Sequence, residues 1–263
     1  MTPPKHPFRS RRALVTGASG GIGEAIAVGL ARAGSDVVLV ARSADALEAV
    51  AARIRRDHRV RTEVLVADLA TDDGVDHVVE AMRGTRVDIV VANAGVGAHG
   101  DFVDATDERN RTQIALNCTA LTRMVHAFLP AMLERRVGGV MTIASTASFQ
   151  PTPGMAVYGA TKAFVLSFTE AVWQETLGSG VRVLALCPGP TETGFFDAAG
   201  GGDVMTSGRQ TADQVAAVGL RAFARAGGPT VVSGLGNTVI ANAHRFVPRA
   251  LMARMSAKVT AEH

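Results

Sequence analysis

Short apolar runs alternate along this chain with longer stretches in which apolar residues recur every three or four positions. The runs at 13–16, 36–40, 62–66, 87–92, 140–143, 181–186 and 230–233 are dominated by small and branched aliphatic residues and predict strands buried on both faces. The helical period predicts helices over 23–33, 44–56, 72–83, 107–135, 157–177 and 212–226. The last has a defined start, because Thr211-Ala212-Asp213-Gln214 has the form of a capping box. Repeated strand-then-helix order predicts an α/β fold: a doubly wound, mainly parallel seven-stranded sheet with helices on both faces. Right-handed crossovers then leave a ligand crevice at the carboxyl ends of the strands.

The pattern changes after the last strand. Residues 237–257 interleave Val239, Ile240, Phe246, Leu251, Met252 and Met255 with Arg245, Arg249 and Arg254. This is an amphipathic basic helix that Pro248 should break or kink. It could lie on a membrane surface, wall a substrate pocket or meet a partner subunit; packing against protein is the preferred reading. The chain 1–263 thus reads as a single Rossmann-type domain, with a flexible basic N-terminus over 1–11 and a helical extension over 237–263.

Composition narrows the function classes. Of 263 residues 47% are apolar and only 5% aromatic, which suits an aliphatic α/β core. The net charge is +3, and among 27 basic residues only Lys5, Lys162 and Lys258 are lysine. The densest basic stretch (Arg53, Arg55, Arg56, His58, Arg59, Arg61) ends a predicted helix and has no interleaved aromatics. It reads as a solvated helix end, so no nucleic-acid partner is expected. Cys118 and Cys187 form no metal spacing or disulfide framework, and no histidine pair is spaced as ligands. No metal and a reducing, cytoplasmic setting are expected. The first twelve residues lack the apolar core of a secretory signal, and no apolar run approaches a membrane span.

The candidate chemistry begins at the first strand, which runs into Thr16-Gly17-Ala18-Ser19-Gly20-Gly21-Ile22-Gly23 and then a helix. Glycines let the backbone turn sharply and approach a pyrophosphate held at the helix N-terminus. Placed between the first strand and first helix of a βαβ series, the string predicts a dinucleotide site on Gly17, Ser19, Gly21, Ile22 and Gly23. The second strand ends in Arg42-Ser43 rather than an acidic residue. An Arg there pairs with a 2′-phosphate, so NADP(H) is expected over NAD(H). Ser19 and Gly20 leave the glycine loop without a second basic residue.

Tyr158 is the sole tyrosine, and Lys162 follows it by four residues. Residues i and i+4 share one helix face, so phenol and ammonium can act at one spot. A fixed positive charge favours phenolate, so the pair reads as a general acid/base drawn toward neutral pH. The plainer alternative is a surface pair. Ser145, at the end of a predicted strand, can bond a substrate oxygen, although Thr146 and Ser148 stand beside it. Asn117 lies inside a predicted helix, a poor place for Asn, and implies a local helix distortion or a hidden partner.

These motifs resemble the short-chain dehydrogenase/reductase family over nearly all of residues 11–235. The glycine signature is met by Gly17, Gly21 and Gly23. Asp68, with Leu69, stands where the family has an acidic residue beside the adenine, although Asp68 could instead cap the following helix. The Asn-Ala-Gly motif is Asn93-Ala94-Gly95, and the Pro-Gly after the sixth strand is Pro188-Gly189, followed by Thr191 and Thr193. The resemblance implies a catalytic set of Ser145, Tyr158, Lys162 and Asn117, with a water-linked path from Asn117 toward Lys162 and a bond from Lys162 to the nicotinamide ribose. It also implies a homodimer or homotetramer built on the long helices.

The expected function is an NADP-dependent oxidoreductase that moves hydride between nicotinamide and a carbonyl or secondary alcohol. Phe149, Met155, Phe195 and Phe196 are expected in the substrate pocket. No Arg or Lys stands in 96–104 or 149–157, which favours an apolar ketone or aldehyde. The glycine-rich segment 191–210 has the length of a lid. The alternatives are a non-catalytic NADP-binding regulator, or an isomerase or dehydratase using the cofactor transiently.

Overall fold

The structure is a computed structural model that describes residues 8–200, 209–225, 227–243 and 247–261, the last four of these by backbone alone. The element order begins β1 (Arg12–Thr16), α1 (Gly21–Arg32), β2 (Asp36–Ala41), α2 (Ala44–Asp57), β3 (Thr62–Val66), α3 (Asp72–Ala81) and β4 (Ile89–Ala92). It continues through α4 (Asp107–Ile114), a π turn (Ala115–Ala120), α5 (Leu121–Glu134), β5 (Gly138–Ile143), α6 (Ala156–Glu175) and β6 (Val181–Cys187). A short pair β7 (Thr191–Glu192) and β8 (Gln210–Thr211) brackets α7 (Phe195–Ala199). Then come α8 (Ala212–Arg225), β9 (Thr230–Val232), α9 (Leu235–Ala243) and α10 (Arg249–Ala261).

Seven strands form one parallel sheet in the order β3-β2-β1-β4-β5-β6-β9. Strand residues alternate between its faces. Leu14, Val38 and Val40 meet α3, α5 and α6 on one face; Ala13, Val15, Val37 and Leu39 meet α1, α2 and α8 on the other. Chain order reverses between β1 and β4, so the loops after these strands part and leave a crevice there. The capping box of α8 forms: Gln214 N–H donates to Thr211 Oγ1 at 3.2 Å, and Thr211 N–H to Gln214 Oε1 at 3.0 Å. Among the described residues, no helix is long and apolar enough to cross a membrane.

The structure sharpens three expectations. The helix expected over 107–135 is interrupted by the π turn that carries Asn117. The flexible N-terminus is corrected at its inner end. Phe8 is buried and stacks on Phe223 with centroids 6.1 Å apart, while Ser35 Oγ donates to Phe8 O at 2.5 Å. The tail holds two helices, α9 and α10, on either side of Pro248, in line with the break expected there, and α10 turns back onto the body: Met252 and Ser256, one helical turn apart, are both buried. Expectations for residues 1–7, for Gly201, Gly202, Met205 and Gly208, and for Arg245 and Phe246 fall outside the described residues.

Candidate active site

The crevice is a cavity of about 840 Å³ at the carboxyl ends of the strands. Its floor is the glycine turn between β1 and α1. Gly17 and Gly21 adopt φ of 65° and 57°, the left-handed region that glycine enters without strain. A Cβ on Gly17 would stand 2.7 Å from Asn93 Nδ2, and one on Gly23 would collide with the Gly17 carbonyl. Asn93 braces the turn: its Nδ2 donates to Thr16 O at 2.9 Å and to Gly17 O at 3.1 Å. Thr16 Oγ1 in turn accepts from the amides of Asn93 and Ala94, both at 3.0 Å. Sequence reasoning missed Thr16, whose hydroxyl welds β1 to the loop after β4.

The N-terminus of α1 opens onto this cavity without a side-chain cap, and Gly20, Gly21 and Ile22 line it. Uncapped amides and the positive end of the helix dipole suit a phosphate group. Ser19, Arg42, Ser43, Asp68, Leu69, Ala94, Gly95, Pro188, Gly189, Thr191 and Thr193 line the same space. Arg42 is exposed and has no side-chain partner among the described residues. Ser43 caps α2, accepting from Ala46 N–H at 3.4 Å. Thr71, not Asp68, caps α3, while Asp68 Oδ1 accepts from Ala70 N–H at 3.0 Å. The residues present therefore fit a nicotinamide dinucleotide: a phosphate cradle at one strand end, with Asp68 and Arg42 at the outer rim. Gly23 lies beneath the turn and shapes it rather than lining the cavity.

Ser145, Tyr158 and Lys162 share the inner part of that cavity. Ser145 caps the 3-10 turn after β5, its Oγ accepting from Ala147 N–H at 3.1 Å. Ser148 is spent elsewhere, its hydroxyl donating to Lys162 O at 2.7 Å, which leaves Ser145 and Thr146 as the hydroxyls facing the cavity. Lys162 is buried, and its Nζ donates to Ile143 O at 2.7 Å while standing 5.8 Å from the Tyr158 ring centre. Burial pushes the ammonium down to about 8. Tyr158 keeps part of its ring in contact with solvent, yet burial around the hydroxyl pushes the phenol up to about 12; a hydrogen bond with Ser145 pulls the other way. The expectation of a phenol drawn toward neutral pH is thus corrected. Lys162 is itself desolvated and bonded to a carbonyl, and burial of the phenol outweighs the hydrogen bond with Ser145.

Asn117 sits behind these groups. Its side chain exchanges two hydrogen bonds with the Val96 backbone, both 2.9 Å, and its Nδ2 also donates to Thr161 Oγ1 at 2.9 Å. It thereby ties the loop after β4 to the helix turn that presents Lys162. The π turn supplies the distortion that an internal asparagine implied.

The remaining wall is mostly apolar. Met155, Phe195 and Phe196 line the cavity, and Phe195 packs against Tyr158 with centroids 5.1 Å apart. Phe149 is not among the residues lining the cavity: partly buried, it packs against the core cluster on the sheet face covered by α3, α5 and α6. Gln150 and Thr152, from the segment 149–157 expected to border the pocket, also line it, and so do Leu116 and Ser256, which were missed from sequence. Ser256 comes from α10, so of the three roles open to the tail the structure displays the pocket wall. The β7–β8 excursion is tied down at its near end, since His99 N–H and Arg109 both donate to Ala199 O, at 2.9 and 2.5 Å.

A sequence profile of the short chain dehydrogenase family matches residues 11–201. The chain belongs to this family. It is 34% identical over 181 residues to hydroxysteroid dehydrogenase-like protein 1 of Gallus gallus, covering 68% of this chain and 55% of that one. It is 32% identical over 186 residues to the very-long-chain 3-oxoacyl-CoA reductase of Bos taurus, covering 69% of this chain and 60% of that one. The chain thus spans a little over half the length of these two curated relatives. Among solved structures, the short-chain dehydrogenase from Sphingobium yanoikuyae in complex with NADPH superposes with a TM-score of 0.83 at 34% identity, covering 96% of each chain.

Proposed function

We propose that this protein is an NADP-dependent oxidoreductase that reduces an apolar ketone or aldehyde. One observation carries the reading: Ser145, Tyr158 and Lys162 face a single cavity that continues to an uncapped helix N-terminus on a glycine turn. When bound, the nicotinamide supplies the hydride. Tyr158 donates its proton to the oxygen that becomes the alcohol. Ser145 donates a hydrogen bond to the same oxygen, where charge develops. Lys162 stabilises the phenolate left behind, and Asn117 holds the helix turn on which Lys162 stands. A phenol pushed up to about 12 carries its proton throughout the neutral range, so it can act as the acid in carbonyl reduction. The relative from Sphingobium yanoikuyae, captured with NADPH, supports the choice of cofactor class.

Substrate class follows from the wall. Met155, Phe195, Phe196 and Leu116 give it an apolar body, and among the described residues the only arginine and lysine lining it are the rim Arg42 and the inner Lys162, with Arg209 lying over the Phe196 ring at 4.9 Å. Cofactor choice rests on Arg42, free at the rim. Arg42→Asp should lower kcat/KM for NADPH about tenfold or more and raise the relative use of NADH, because a charged phosphate contact is lost. Equal use of both cofactors by the unaltered protein would contradict this reading. Exposed Ile114 and Phe164, on α4 and α6, support a homodimer or homotetramer through these helices.

A further inference from the structure

A second basin lies at the opposite, amino ends of the strands, with a volume of about 1040 Å³. Arg9, Arg11 and Arg12 line it from the segment entering β1 and Arg32 from the end of α1; Arg59 and Arg61 come from the α2–β3 turn and Arg86 from the approach to β4. Strand register sets the row. Arg12 pairs with Asp36, Thr62 after Arg61 pairs with Val37, and Ile89 after Asp88 pairs with Ala13. The charges therefore sit at the ends of four adjacent strands, each about 4.8 Å from the next, along a row roughly 15 Å long.

The acidic residues of the basin are already committed. Asp88 is buried and takes Arg86 at 2.7 Å, Arg11 at 3.7 Å and the Arg12 amide at 3.0 Å. Asp36 accepts from the Arg61 amide at 2.8 Å, and Asp57 holds the Arg56 fork at 2.8 and 3.1 Å. The side chains of Arg9, Arg12, Arg32, Arg59 and Arg61 have no partner among the described residues. Helices α1 and α2 end at this rim, and their terminal dipoles offset about one charge unit, fewer than the arginines supply.

We propose that this basin binds a compact soluble polyphosphate, a short chain of phosphate groups carrying several negative charges. Arginine forks match phosphate oxygens bidentately. Among the described residues the lining holds no phenylalanine, tyrosine or tryptophan, its one ring being the His58 imidazole, and its apolar side chains are only Ala31 and Val60, too little to enter lipid.

The test is calorimetric titration of the full chain, saturated with NADP⁺ to fill the other cavity, with inorganic tripolyphosphate. One site is expected, with affinity falling as salt rises from about 0.05 to 0.15 M. The double variant Arg59→Ser/Arg61→Ser should weaken it about tenfold or more while leaving the melting temperature and NADPH binding unchanged. Sulfate, a single dianion, should bind far more weakly. The proposal is overturned by no tripolyphosphate binding, by binding that the double variant leaves intact, or by phosphatidylserine vesicles or an oligonucleotide binding where tripolyphosphate does not. Each readout is independent of turnover, so the outcome stands whether or not the reductase reading does.

Discussion

Lys162 carries a stability cost that can be measured. Its ammonium is buried, with one carbonyl partner, and its pKa is pushed from 10.5 to about 8. At neutral pH that difference corresponds to about 3 kcal/mol of destabilisation, since one pKa unit is about 1.4 kcal/mol. Lys162→Met keeps the apolar stem and removes the charge. It also leaves the Ile143 carbonyl without that donor, at a cost of roughly 1–3 kcal/mol. The balance predicts a variant as stable as the parent or up to about 2 kcal/mol more stable at pH 7, a shift of zero to several degrees in melting temperature for a chain of this size. The pH dependence has a defined sign. Between about 8 and 10.5 the unfolded chain holds the Lys162 proton and the folded chain has lost it, so parental stability climbs with pH in that window. The variant lacks this climb. Tyr158, pushed up to about 12, lowers stability above pH 10 in both proteins and cancels in the difference. Urea unfolding of both proteins across pH 7 to 10.5 reads the effect. A variant more than about 2 kcal/mol less stable at pH 7, or one with the parental slope, would refute the reasoning. Turnover should fall in the same variant, so that stability and function part company at one residue.

Two further substitutions probe the supporting structure. Asn117→Ala strands the Val96 amide and carbonyl and removes a donor from the Thr161 hydroxyl, which keeps its own bond to Tyr158 O, so it should cost roughly 2 kcal/mol or more and lower kcat even where the protein remains folded; denaturant titration and steady-state kinetics check both. Ser256→Phe adds bulk to the wall supplied by α10 and should raise KM for bulky ketones about tenfold while leaving the NADPH dissociation constant unchanged. An equal loss for small aldehydes would place Ser256 away from the substrate.

The inner strands were legible because strands buried on both faces must be apolar throughout, and the partly buried edge strands β3 and β9 were legible from their short branched-aliphatic runs. Each of the seven expected runs became a strand within a few residues of its expected bounds. Asn117 was legible for the opposite reason: an asparagine inside a helical pattern has to be explained, and the π turn explains it. Phe149 was misplaced because position after a strand gives nearness to the crevice but not side-chain direction. The 3-10 turn that ends at Phe149 packs this ring against the core cluster on one sheet face instead. Ser256 was invisible because only the return of α10 over the body brings it to the cavity, and no local period encodes that return. The phenol of Tyr158 was expected lower than it lies because sequence shows the nearby charge and not the desolvation that opposes it.

The account stands most directly on the proton carried by Tyr158. The unaltered protein and Tyr158→Phe should be compared for NADPH binding and for carbonyl-dependent loss of reduced-nicotinamide absorbance across a panel of ketones and aldehydes. The prediction is turnover by the parent, turnover reduced by at least about a hundredfold in the variant, and equal NADPH affinity in both. Comparable turnover by the variant, or no turnover by the parent with any apolar carbonyl, would contradict the assignment.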